Sequence, residues 1–278
     1  MQLAMFSKML GVYPIEKAGE VIKELGFDGV DLTVRPGGHV LPEEVRQRLP
    51  EAVRALRELG LTVPMVTTGI TTPEDPHAED IFRSAAECGV TRLKLGYWRY
   101  AGFGQLRRQI AEVQGYLRGV EALAKRYGVW AGIHNHSGSY ISALPAVVAE
   151  LLKDRDPEAV GAYFDPGHAT AEGGVDGWRM GLDLLAERIR LLAVKSFGWF
   201  RETLPSGEAR WQPKLVPLSE GTVRWPEVFT LLRRSGFDGV VSVHSEYQGS
   251  HSWRDLTTEE LIEQTRRDLA YLRAAMGS

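Results

Sequence analysis

VWAGIHNHSG, residues 129 to 138, starts as an apolar run of strand length and ends in three consecutive polar residues, His134, Asn135 and His136. The segment before it, QIAEVQGYLRGVEALAKRYG at 109 to 128, has the apolar spacing of an amphipathic helix and closes on Gly128, the residue expected just past a helix end. The next strand-length run is VGAYFD at 160 to 165. Helical segments alternating with short apolar runs are the pattern of β-α units around a parallel sheet.

Working outward, runs of the same kind occur at QLAMF (2 to 6), GVDLT (29 to 33), TVPMVT (62 to 67), RLKLG (92 to 96), LLAVKS (191 to 196) and VVSVHSE (240 to 246). With VWAGIHN at 129 to 135 and VGAYFD they make eight. Helical patterns lie between them, among them IEKAGEVIKELG, PEEVRQRLPEAVRALRELG, DLLAERIR and WPEVFTLLRRSG, and EELIEQTRRDLAYLRAAM closes the series. Eight units in 278 residues predict an α/β fold, a TIM (β/α)8 barrel forming a single domain over residues 1 to 278, with an open doubly wound sheet as the alternative. ELGFDGVDL at 24 to 32 and RSGFDGVVS at 234 to 242 echo one another as helix end, turn and strand start. The longest non-periodic stretch, 197 to 224, follows the seventh strand and is expected over the active-site face.

Composition narrows the function. The chain is 44% hydrophobic and 25% charged, enough to bury a sizeable core. One cysteine, Cys88, excludes intrachain disulfides and cysteine-based zinc clusters, and its helical context AAECGV predicts a buried residue. A net charge of −3 offers no general attraction to phosphate backbones, so nucleic acid is not an expected partner. No apolar run approaches a membrane span and no signal-peptide pattern opens the chain, which predicts a cytoplasmic protein without membrane contact.

Strand side chains alternate between faces, so His134 and His136 share a side while Asn135 points the other way. Asp165 ends YFD, Lys195 stands two residues after Ala193, and Glu246 two after His244. In a barrel these C-terminal strand ends converge on one mouth. Earlier strands add Asp31, Arg35, His39, Thr67, Thr68 and Lys94, while Phe6, Tyr97, Trp98, Trp199 and Tyr247 are candidates for the floor of a sugar pocket.

Each residue also has a plainer reading. A single strand-end histidine is more often a cap or a satisfied core group, and Asp165 in FDPGH can simply cap the following turn. The Asp-x-x-His spacing to His168 favours function. Lys195 after four apolar residues needs an ion pair or a substrate contact, and Glu246 needs a metal, a cation or hydrogen-bond donors to stay charged. Arg35, His39 and Lys94 are compatible with solvated loop charge, and His77 and His251 read as surface residues.

IHNHSG at 133 to 138, FDPGHAT at 164 to 170, AVKSFGW at 193 to 199, PLSEGTVRW at 217 to 225 and SVHSEY at 242 to 247 together resemble the sugar phosphate isomerase/epimerase group of the xylose isomerase-like TIM barrels. Their order and strand-end placement, over nearly the whole chain, carry the likeness. Members commonly hold a divalent metal with Glu, Asp, His and a second Glu. By position, Asp165 matches the Asp and Glu246 the last Glu. Where many members read Glu-Asn-His this chain reads His-Asn-His, and where many read His-x-Lys-Asp it reads Ala-Val-Lys-Ser, putting His134 at the first Glu and Ala193 at the histidine.

The resemblance implies a metal site of His134, Asp165 and Glu246, suited to Mn, Zn or a similar divalent ion, with His136, His168, His244 or water as fourth ligand. It implies a small carbohydrate substrate and leaves homo-oligomerisation open. Glu246 is the first choice of base, Lys195 and His136 complete the catalytic set, and Arg35, His39, Lys94, His168 and Trp199 are the expected substrate contacts. The reaction expected is aldose-ketose isomerisation or epimerisation by proton transfer next to a carbonyl, with the loss of the first Glu favouring isomerisation. The alternatives are a lyase or aldolase, metal-dependent or with a Schiff base on Lys195 or Lys94, a phosphodiesterase resembling endonuclease IV, and a non-catalytic metabolite-binding barrel.

Overall fold

A computed structural model describes residues 1 to 277. Eight parallel strands close into a barrel: β1 (Gln2–Phe6), β2 (Gly29–Val34), β3 (Thr62–Thr68), β4 (Arg92–Lys94), β5 (Trp130–His134), β6 (Val160–Phe164), β7 (Ile189–Val194) and, after a hairpin, β10 (Val240–Val243). The order around the ring is β1, β10, β7, β6, β5, β4, β3, β2. The TIM barrel expected from the alternation is therefore the fold, and all eight predicted strands occur.

The strands form because both of their faces are apolar. One face meets the helices, and the other meets an inner cluster of Ala4, Met65, Trp130, Tyr163, Leu191, Ala193 and Val240. Trp130 fills this interior only because glycine stands beside it on two strands. A Cβ on Gly161 would lie 2.6 Å from the Trp130 ring, and one on Gly132 would lie 2.7 Å from it, both too close for real contacts. Helices α1 (Ile15–Leu25), α2 (Val45–Glu58), α3 (Ala78–Glu87), α4 (Leu106–Tyr127), α5 (Pro145–Leu151), α6 (Pro166–Gly173), α7 (Gly177–Leu185), α8 (Trp225–Arg234) and α9 (Thr258–Gly277) surround the sheet. In α1, Ile15, Ala18, Ile22 and Leu25 are buried, the spacing of one helical face. Among the described residues, no helix is long and apolar enough to cross a membrane.

Two details differ from the sequence reading. The stretch expected to be non-periodic is largely an antiparallel hairpin of β8 (Ser196–Thr203) and β9 (Ala209–Val216). Its strands are half-exposed beyond the anchoring residues Phe197, Leu215 and Val216, so they lack the continuous apolar run that marks a barrel strand. The last barrel strand is also shorter than predicted. It ends at Val243, and His244 to Tyr247 turn back on themselves, with the Glu246 amide donating to the His244 carbonyl at 2.9 Å.

Candidate functional site

The first wall of the barrel mouth comes from β5 and β6. Asp165, one residue past β6, is fully buried and caps α6, its Oδ1 accepting the His168 amide at 2.9 Å. Its Oδ2 lies 3.2 Å from His134 Nε2. The His134 ring stacks on Tyr163 with centroids 4.6 Å apart, and its Nδ1 is 2.8 Å from the Tyr97 hydroxyl. His168 has Nδ1 2.8 Å from Ser137 Oγ, and its buried Nε2, without a hydrogen-bond partner, stands 3.7 Å from Asp165 Oδ2. Burial holds both imidazoles well below their ordinary pKa, so both are neutral. Asn135, pointing away from the histidines, brackets the Asp165 peptide. Its Oδ1 accepts the Asp165 amide at 2.8 Å and its Nδ2 donates to the Asp165 carbonyl at 2.8 Å.

The second wall comes from the ends of β7 and β10. Lys195 Nζ donates to Glu246 Oε2 at 2.7 Å and lies 3.6 Å from Asp165 Oδ2. Burial opposes its charge, but these two carboxylates outweigh burial and keep it an ammonium. Glu246 also accepts at Oε1 from Lys8 Nζ at 2.8 Å. Burial disfavours its charge too, yet Lys195, His244 and Lys8 together hold the carboxyl well below the ordinary carboxylate range. His244 stacks on Phe6 at 4.4 Å and sets Nε2 2.8 Å from the Tyr163 hydroxyl. Beneath it Asp31 accepts from Thr67 at 2.7 Å and from Ser242 at 2.8 Å.

The third wall belongs to β2, β3 and β4. Lys94 is buried with Nζ 3.4 Å above the Tyr97 ring, and Arg35, one residue past β2, has its guanidinium 5.6 Å from the Phe6 ring. Burial, then repulsion from Arg35, pushes the Lys94 amine well below its ordinary pKa. The three walls enclose a cavity of about 90 Å³. Arg35, Lys94, His134, His136, Lys195 and Glu246 line it, with Phe6, Lys8, Thr67, Tyr97, Tyr163 and His244. His136 lies on the His168 ring at 3.8 Å and donates from Nδ1 to the Ser137 carbonyl at 2.9 Å, which leaves Nε2 as its lone-pair atom. Burial, then Lys195, lowers its pKa to about 4.

A family profile described as xylose isomerase-like TIM barrel matches residues 20–275. The chain belongs to the xylose isomerase-like TIM barrel family. A structure of 3-keto-D-glucoside 4-epimerase from E. coli superposes with a TM-score of 0.71 at 18% identity, covering 99% of each chain. The IOLI protein with a binding zinc atom gives a TM-score of 0.71 at 16% identity over 98% of both chains. At these identities the likeness is one of fold. An uncharacterised protein of Methanocaldococcus jannaschii is 25% identical over 126 residues, 45% of this chain and 39% of the relative. The match thus spans about two fifths of that curated relative.

The zinc in the IOLI structure raises the question of whether these residues suit an ion. His134, Asp165 and His168 offer ligand atoms that all lie within 4.8 Å of one another, and all three are buried. Tyr97 and Ser137 hold the two Nδ1 atoms, so each Nε2 faces Asp165 Oδ2, the outer-contact arrangement that orients imidazole ligands. Two neutral imidazoles and a carboxylate, one Nε2 unpartnered, fit a transition metal such as Zn or Mn. Of the predicted set, the structure brings His134 and Asp165 together and adds His168, expected only as a fourth ligand or substrate contact. Glu246 instead stands with Lys8 and Lys195.

The predicted substrate residues divide. Arg35 and Lys94 reach the cavity. His39 does not line it, because its Nδ1 and its amide lie 3.2 and 2.9 Å from Thr33 Oγ1. Trp199 sits on the hairpin, 45% exposed and away from the cavity lining. Of the aromatic candidates Phe6 and Tyr97 line the cavity, while Trp98 donates to the Thr71 carbonyl at 3.0 Å and Tyr247 to Asp268 at 2.5 Å. Lys8, Ser137, Tyr163 and the bracketing role of Asn135 escaped the sequence reading. Lys8 lies two residues past β1, and a search for polar residues just beyond every strand end would have found it.

Proposed function

We propose that this barrel is an isomerase or epimerase of a sugar or sugar derivative, working by proton transfer at a carbon next to a carbonyl. The observation that carries the reading is Glu246, an ionised carboxylate held 2.7 Å from the Lys195 ammonium at a cavity that His136 also lines. The likeness of fold to a 3-keto-D-glucoside 4-epimerase supports it.

The residues divide the work as follows. Lys195 donates to the substrate carbonyl oxygen and favours negative charge there. Turning to substrate loosens its hold on Glu246 Oε2, which raises the basicity of that carboxylate as the C–H bond comes within reach. His136 presents Nε2 as a second acid/base group, and His134, Asp165 and His168 would hold a divalent metal. Bound there, the metal supplies Lewis-acid stabilisation of substrate oxygen charge. The two carboxylates around Lys195 keep it an ammonium, the wrong state for a Schiff base.

Glu246→Gln should abolish exchange of the substrate C–H in deuterated water while far-UV dichroism stays unchanged. Exchange at the wild-type rate would eliminate the proposed base. His168→Ala should lower the metal content of the purified protein, and unchanged content would remove His168 from the ligand set. Inversion at the exchanged carbon would identify an epimerase using both Glu246 and His136, whereas label transfer between adjacent carbons would identify an isomerase.

A further inference from the structure

Charges around the cavity are unevenly balanced. Lys8, Arg35, Lys94 and Lys195 line it, against Glu246 as the lining carboxylate. Lys8 and Lys195 take Glu246, and Lys195 also approaches Asp165. Among the described residues, neither Arg35 nor Lys94 forms an ion pair. Lys94 is only 2% exposed, and lysine is almost never buried to this degree without a partner. The contact its Nζ makes is the face of Tyr97, which accepts no conventional hydrogen bond.

The ring order places these two basic groups opposite the reacting groups. Around eight strands, β4 is four places from β10 and β2 is four places from β6. Lys94 therefore faces the strand end that carries Glu246, and Arg35 faces the one that carries Asp165. We propose that Arg35 and Lys94 form an anion subsite, selecting a substrate with a carboxylate or phosphate group at the end away from the carbon that exchanges its proton. A hydroxyl group gives Arg35 no counter-charge and Lys94 no reason to hold a proton in a low-dielectric cavity, whereas an anion favours the Lys94 ammonium and takes charge-assisted hydrogen bonds from both. This rests on the proton-transfer reading for where the substrate reacts, but not for whether the anion binds.

Melting-temperature titrations with inorganic phosphate, glycolate and glycerol test it, since a ligand bound to the folded state raises the melting temperature according to its Kd. Phosphate or glycolate should stabilise the protein where glycerol at equal concentration does not, and the larger response assigns the anion as phosphate or carboxylate. Lys94→Met and Arg35→Gln should each weaken that binding about tenfold or more, the worth of a lost charge-assisted hydrogen bond. Arg35 stands at the cavity rim, so Arg35→Gln decides the matter should Lys94→Met fail to fold. Glu246→Gln should retain the anion response while losing exchange, which separates the subsite from the proposed reaction. Equal stabilisation by glycerol, or anion binding unchanged in both cation variants, overturns the proposal. So does borohydride trapping of a carbonyl substrate on Lys94, which would make that amine a nucleophile rather than a charge.

Discussion

Asn135→Ala is a stringent test of how the site is held. Asn135 and Asp165 are both at most 1% exposed, and two hydrogen bonds of 2.8 Å join the amide side chain to the Asp165 peptide. Truncation orphans the Asp165 N–H, at a cost of about 1–3 kcal/mol for a buried unsatisfied donor. The Asp165 carbonyl keeps one partner, the Ala169 amide at 3.0 Å, so its lost second bond adds only about 0.5–1.5 kcal/mol. The expected destabilisation is therefore about 1.5–4.5 kcal/mol, with a lower urea midpoint at unchanged m-value. Amide exchange should locate the damage, accelerating at Asp165 relative to Ala131, whose amide bond to the Ala159 carbonyl on the same barrel does not involve Asn135. A loss under about 1 kcal/mol, or equal acceleration at both amides, would refute the idea that Asn135 positions Asp165.

Three further outcomes are expected. Lys195→Met should cost about 3–5 kcal/mol because it leaves buried Asp165 without a cation and Glu246 with only the partly exposed Lys8, and adding Glu246→Gln should recover part of this; strictly additive losses in urea unfolding would deny the coupling. Gly167→Ala would bring a methyl to 2.6 Å from the Lys195 carbonyl, so it should lower stability by about 1–3 kcal/mol and move Asp165 from Lys195, with an unshifted crystal structure counting against this. Burial raises the Asp268 carboxyl to about 6, above its unfolded value, so the stability it contributes is complete below about pH 4 and lost as pH rises through about 6, roughly 3 kcal/mol in all. Asp268→Asn should flatten that step in stability measured from pH 4 to 7, and an unaltered step would assign it to another group.

The barrel was legible because a strand buried on both faces leaves a continuous apolar run, and all eight such runs became strands. The hairpin was not, because half-exposed strands anchored only at their base carry a weaker pattern. At the site, residue types at strand ends pointed to His134, His136, Asp165, Lys195 and Glu246. Their partnerships were hidden, because they join positions far apart in the chain. Lys8 and Glu246 are separated by 238 residues, and His134 and Asp165 by 31. Parity along β5 correctly set Asn135 apart from the histidines, but its bond to the Asp165 backbone depends on the register between two strands, which periodicity does not reveal. Trp199 shows the converse error: its position after the seventh strand suggested the mouth, while the hairpin carries it outward.

His134 and Ala193 change how the mouth is balanced. Ala193 is fully buried in the inner cluster beside Tyr163 and Leu191, so where the motif this sequence resembles places a histidine this chain has packing. His134, where the motif this sequence resembles places a glutamate, is held neutral by burial and nearby cations, so the β5 wall carries no negative charge at that position. Of the remaining carboxylates, Asp165 and Glu246 are both engaged by Lys195, and Asp31, buried beneath His244, accepts from Thr67 and Ser242. Among the described residues Arg35 and Lys94 consequently form no ion pair, and they stand across the ring from Asp165 and Glu246. A metal at His134, Asp165 and His168 would add positive charge rather than supply a partner. The replacement that makes His134 unusual and the basic groups that lack ion-pair partners thus point the same way, to a substrate that carries its own negative charge into the barrel.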